Sequence, residues 1–125
     1  MKFRDTEHET YFYLILDKMQ NDDCYHQSLA YLIALDGICR KHFFSIYNCS
    51  EGCIIPDCLE DEWQTSTSLK VLRLAFNLYT NGIMWTEEPT QVTPANIFCC
   101  DYSPYFYESI KLRYPEYLDN NGECL

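Results

Sequence analysis

Cys49, Cys53 and Cys58 fall within ten positions of "NCSEGCIIPDCLEDEW", residues 48 to 63. Thiolates gathered this closely are the usual ligands of a tetrahedral Zn²⁺, and a structural site fills all four positions from the protein. The C-x3-C-x4-C spacing differs from the C-x2-C pair of common zinc modules, and Gly52 offers a tight turn inside it. His42 or Cys39, from the stretch just before the loop, would supply the fourth ligand. The role expected of this zinc is structural. A loop with few aliphatic side chains has little to bury, and a metal would staple it to its neighbouring helix. Arg40 and Lys41 would offset the thiolate charge. The competing reading is a set of buried or adventitious free thiols. A catalytic zinc fits poorly, because such sites usually combine His or carboxylate ligands with an open water position.

Other chemistry finds little support. His8-Glu9 would begin a zincin helix only with a histidine at position 12, which is Phe12. Residues 64 to 68, "QTSTS", carry hydroxyls without a neighbouring base and are better suited to helix capping. The 4 glycines are too scattered for a phosphate-cradling loop. Cys99-Cys100 invites a redox reading, yet adjacent cysteines bridge only with strain, and "IFCCDY" suggests packing. No convincing catalytic set emerges, so a non-enzymatic protein is expected.

The elements that must hold these residues are helical. Thr6 with Glu9 has the pattern of a capping box, and Tyr11, Leu14, Ile15 and Met19 follow at helical spacing. Asn21 to Asp23 break that helix and cap the next. "CYHQSLAYLIALDGICRKHFFSIYN" reads as one central helix of about seven turns, its apolar positions running through Leu35, Cys39, Phe43 and Ile46. After the cysteine loop and a short turn at 56 to 62, Thr65 or Ser66 caps a helix ended by Asn81-Gly82. Residues 86 to 93 read as a surface loop. Thr93-Pro94 and Ser103-Pro104 signal two further helix starts, and Pro115 closes the last. The fold class expected is all-α: a single compact domain of about five helices over 1–118, with the zinc loop at 48–62 and a flexible tail at 119–125.

Composition sets the outer bounds. In 125 residues, 47% hydrophobic and 16% aromatic content excludes compositional disorder. Nothing approaches the roughly 18 apolar residues of a membrane span, and no secretory signal is read at the start. A cytoplasmic location in a bacterial host is therefore expected, with 8 cysteines kept reduced. The balance of 9 basic against 19 acidic residues, net −10, argues against direct binding to nucleic acid. It is suited to meeting a basic partner surface, with solubility as the commoner reason for such a balance.

The segments "CRKHFFSIYN", "WQTSTSLKVLRLAFNLY" and "IFCCDYSPYFYESIKLRYPEY" resemble an uncharacterised family of small proteins from Firmicutes and their mobile elements. That resemblance implies no chemistry, and the cysteine loop departs from its simpler pattern. In overall character the chain is also similar to zinc-containing type II-A anti-CRISPR proteins, which implies stoichiometric inhibition of Cas9 by obstructing DNA loading. Glu51, Asp57, Glu60, Asp61, Glu62, Glu87 and Glu88 are then the contact charges. The alternatives are a mobile-element metalloenzyme and a regulatory module with another partner.

Overall fold

Asp5, one residue earlier than expected, starts the first helix: its carboxylate accepts the His8 backbone N–H at 2.8 Å. Helix α1 then runs Thr6–Met19 and buries His8, Phe12, Ile15 and Met19. Tyr11 and Leu14, expected on the core face, are 41% and 49% exposed. The phase is set by His8, whose ring can be fully buried because both nitrogens find backbone partners. Its Nδ1 accepts the Arg4 N–H (3.0 Å), so Nε2 carries the proton and donates to the Tyr31 carbonyl (2.9 Å).

The structure, a computed structural model, describes residues 1–82, 84 and 87–118. The chain is mostly helical. Helix α2, Cys24–Leu35, is its axis: every residue from Ser28 to Leu35 is buried. A helix apolar on all sides must be surrounded, and α2 packs against α1, α5 (Ser66–Thr80) and α7 (Ser103–Arg113).

The long helix expected beyond Cys24 is broken at Asp36. This residue is extended (φ −105°, ψ 128°), and its carboxylate caps a new helix by accepting the Cys39 N–H (3.1 Å). The same carboxylate takes the Tyr102 hydroxyl (3.0 Å), so leaving the helical path secures a bond to the segment before α7. Short helices α3, Gly37–Lys41, and α4, Phe43–Ile46, follow at a new angle.

The cysteine loop is a small hairpin that no alternating pattern announces. Strands β1, Tyr47–Asn48, and β2, Cys53–Ile54, pair antiparallel, Tyr47 opposite Ile54 and Asn48 opposite Cys53. The turn closes through Gly52, at φ 69°, whose N–H meets the Asn48 carbonyl at 2.8 Å. A 3-10 turn, Pro56–Glu60, leads on to α5. There Thr65 and Ser68 cap each other's backbone, and Asn81 ends the helix in the left-handed region. Past it, Pro89–Val92 form another 3-10 turn, Pro94–Ile97 form α6, and Pro115–Leu118 form α8. One apolar cluster runs from Phe12 to Phe106. The tail expected at 119–125 lies outside the described residues.

Burial holds the His8 pKa below its ordinary 6.5, against the opposing pull of the Tyr31 carbonyl. The unfolded chain therefore takes up a proton at higher pH than the folded one. Stability from His8 is complete above that ordinary value and is lost as pH falls through the depressed folded value. Urea unfolding between about pH 7.5 and about pH 5 is expected to lose up to about 1.4 kcal/mol per pH unit from this group. His8→Phe should flatten that dependence, and an unchanged profile in the variant would contradict the assignment.

Candidate functional site

The hairpin is tied to the helical body by a polar knot around His26. Asp23 caps α2 through the His26 N–H (2.9 Å), and the same carboxylate oxygen accepts His26 Nδ1–H (2.8 Å). That contact fixes the tautomer, leaving Nε2 as an acceptor. Two phenols face it, Tyr47 from β1 at 3.2 Å and Tyr79 from α5 at 3.4 Å. Tyr79 also reaches the Gly52 carbonyl at the turn (3.5 Å). Three segments distant in sequence, the start of α2, the hairpin and α5, thus meet at one imidazole.

Charge and burial at the knot are consistent with a clamp. Burial disfavours the Asp23 carboxylate, but hydrogen bonds from the His26 side chain and backbone outweigh it and hold the pKa below the ordinary 3.8. Burial pushes Tyr47 up to about 12, with Tyr79 and the hairpin thiols adding to the effect. Tyr47 is 1% exposed and His26 7%. An Asp-His-Tyr series resembles a proton relay; here both phenols face Nε2 of an imidazole that is itself buried.

The residues expected to hold zinc are divided between two environments. Cys49 and Cys53 are exposed on the hairpin. Cys39 and Cys58 are buried together, 0% and 1% exposed, beneath α3 and the 3-10 turn. Burial pushes the Cys58 thiol up to about 12, and nearby Asp61 and Asp57 reinforce it. Cys39 is raised by burial and then by Asp36. Both shifts favour the protonated thiol at neutral pH. His42 stacks on Trp63, ring centroids 4.3 Å apart and 4° from parallel, with its Nδ1–H donated to the Ile38 carbonyl (3.0 Å). Among the described residues no three of His, Cys, Asp and Glu converge as a metal site. Chain spacing placed the thiols near one another but could not say which would turn inward.

Cys99, expected in the core, is exposed, while Cys100 packs partly against the core. Among the expected contact charges, Glu51, Asp57, Glu60, Asp61 and Glu62 are all exposed, and Asp61 accepts the Trp63 indole N–H (3.0 Å). Glu88 is exposed too. Glu87 departs from the expectation: it is half-buried and pairs with Arg73 at 2.9 Å, so its charge is spent inside the molecule. Tyr47 was not singled out from sequence, and His26, read there only as a helix-surface or interhelix residue, proves to be the centre of the knot.

Architecture and site together define a small, mostly helical domain with a histidine-clamped hairpin bearing carboxylates. The chain belongs to a family of unknown function, DUF6075, which it matches over residues 1–124. No curated protein and no solved structure matches it. Among the described residues no helix is long and apolar enough to cross a membrane.

Removing the clamp should loosen the hairpin first. His26→Phe keeps a ring of similar size but removes the acceptor facing two phenols, one of them buried, an expected loss of about 1–3 kcal/mol. Hydrogen exchange of the Gly52 and Ile55 amides should speed up more than that of amides in the middle of α2. Uniform acceleration across the chain would count against a local clamp.

Proposed function

We propose that this protein acts by stoichiometric binding and not by catalysis, presenting its acidic segment to a basic surface of a nucleic-acid-handling protein. The observation that supports this reading is the stretch from Glu51 to Glu62. Five exposed carboxylates lie there, and no Lys or Arg occurs between 51 and 63. The His26 knot holds the hairpin at the front of this stretch, which lowers the ordering cost of docking it. Opposite charges then steer encounter and fix register. Cas9 is the partner to which the resemblance to anti-CRISPR proteins points. Its basic channels hold guide and target, so an acidic occupant would obstruct DNA loading.

Zinc is a separate proposal, with Cys49 and Cys53 as the accessible ligands. Metal analysis of reduced protein is expected to find an equivalent that disappears in Cys53→Ser. Absence of metal would reject the zinc proposal.

The binding reading is tested by co-elution with Cas9 at about 50 mM and about 300 mM salt, where screening differs strongly. Binding is expected at the lower concentration, weakening at the higher. The triple substitution Glu60→Lys, Asp61→Lys, Glu62→Lys should weaken it at least about tenfold while leaving the fold intact. Glu87→Gln should cost stability and spare binding. No complex at low salt rejects Cas9 as the partner, and a complex indifferent to the triple substitution rejects the acidic segment as its surface.

A further inference from the structure

Phe44, on α4, is 67% exposed, while its neighbour Phe43 is buried. Lys18 Nζ stands over the Phe44 ring, 5.7 Å from its centroid, and Lys41 lies three residues before it. Leu14 and Tyr11 continue the Lys18 stripe along α1 at helical spacing, and both are exposed. The result is an uncovered apolar face edged by two ammonium groups. Lys18 and Lys41 are exposed, and among the described residues neither belongs to an ion pair. In a chain with 9 basic against 19 acidic residues, these two cations stay free beside an exposed ring.

The acidic segment borders this face. Trp63, directly after Glu62, stacks on His42, which lies between Lys41 and Phe43. The 3-10 turn Pro56–Glu60 packs on α4 itself. A cationic apolar strip and an anionic strip therefore run side by side, with the His42–Trp63 stack at their border. No ion pair joins them within one molecule. A surface of this kind is complementary to itself: a two-fold rotation about an axis at the border lays each strip on the opposite strip of another molecule.

We infer that the occupant of this face is a second copy of the chain, docked about such a two-fold axis. Lys18 and Lys41 of each protomer meet Glu60, Asp61 and Glu62 of the other, and Phe44 and Leu14 lose their water at the contact. Two bodies of net −10 repel at long range. Apolar burial therefore supplies the affinity, and the charge pairs fix register. The dimer covers the acidic segment, so it competes with the basic partner proposed above. It shares that segment with the binding reading and does not rest on it.

The test is sedimentation velocity of the reduced full-length protein alone, at about 5 µM and about 500 µM, which bracket a weak dimer. A dimer is expected at the higher concentration. A monomer there overturns the inference, and so does a series growing beyond the dimer, which a closed two-fold contact cannot give. Two charge-reversed variants then test the pairing: Lys18→Glu with Lys41→Glu, and Glu60→Lys with Asp61→Lys and Glu62→Lys. Each alone is expected to be monomeric, and an equimolar mixture should dimerise, because both contacts regain opposite charges. The second variant has a smaller net charge, which by itself favours association, so its monomeric state reads the lost pairing. A dimer in either variant alone, or a mixture that stays monomeric, overturns the pairing of the strips. Phe44→Ser should weaken dimerisation at least about tenfold with helical circular dichroism unchanged; undiminished dimerisation overturns this face as the site. No other protein is present in these runs, so the co-elution with Cas9 is decided separately.

Discussion

Helix α2 is buried on every side from Ser28 to Leu35, and this burial constrains the rest of the molecule. A segment with no solvent face makes its polar contacts to protein groups: midway along it Tyr31 meets His8 and Lys2, and its two ends carry further structural polar chemistry. At the start, Asp23 caps the helix and turns His26 toward the hairpin. At the finish, Asp36 leaves the helical path, caps α3 and takes the Tyr102 hydroxyl. Asp23 starts α2 and anchors the hairpin through His26, whereas Asp36 ends α2, starts α3 and anchors the segment before α7. The three helices around α2 are thus positioned by apolar contact along its length and by directional bonds at its termini.

The hairpin shows why such a terminus matters. Two residue pairs of strand cannot hold a fold in water, since isolated hairpins are marginal even when longer. This one persists because Tyr47 inserts into the core at 1% exposure and its hydroxyl finds His26. Tyr79 bridges the same imidazole and the turn carbonyl. The problem identified from sequence, a polar loop with little to bury, was a real one. Hydrogen bonds to a buried ring help to hold that loop, and Cys39 and Cys58 lie within the apolar core.

Legibility followed the range of the interactions. Helix α5 could be read end to end, because Thr65 and Asn81 act within a turn of their own position. The central role of α2 was visible in its all-round apolar character. The stretch from Leu35 to Ile46 was misjoined because Cys39, Phe43 and Ile46 continue a helical period, while the deciding contact, Asp36 to Tyr102, spans 66 residues. Helix α1 slipped in phase for a related reason: a histidine satisfied by the Tyr31 backbone can occupy a core position that its type disfavours. For the thiols, spacing fixed proximity along the chain. The direction of each side chain depended on whether its neighbours met the body of the protein. Cys49 and Cys53 belong to the hairpin and are exposed, whereas the 3-10 turn carries Cys58 and Leu59 inward.

The distribution of basic residues bears on why the acidic segment is left uncompensated. With 9 Lys and Arg against 19 Asp and Glu, any cation held internally is one fewer to screen the surface. Arg73 is held by Glu87, Arg40 by Glu7, and Lys70 by the Asn96 carbonyl. Arg113 is enclosed by neutral groups and aromatic rings. Each serves to join segments far apart in sequence. None of these positions lies beside residues 51 to 62, where Glu60, Asp61 and Glu62 remain side by side in solvent. Like charges so close together repel, and at ionic strengths where the Debye length is about 10 Å that repulsion is felt across the whole segment. A basic surface docked there would relieve it, whereas folding alone does not.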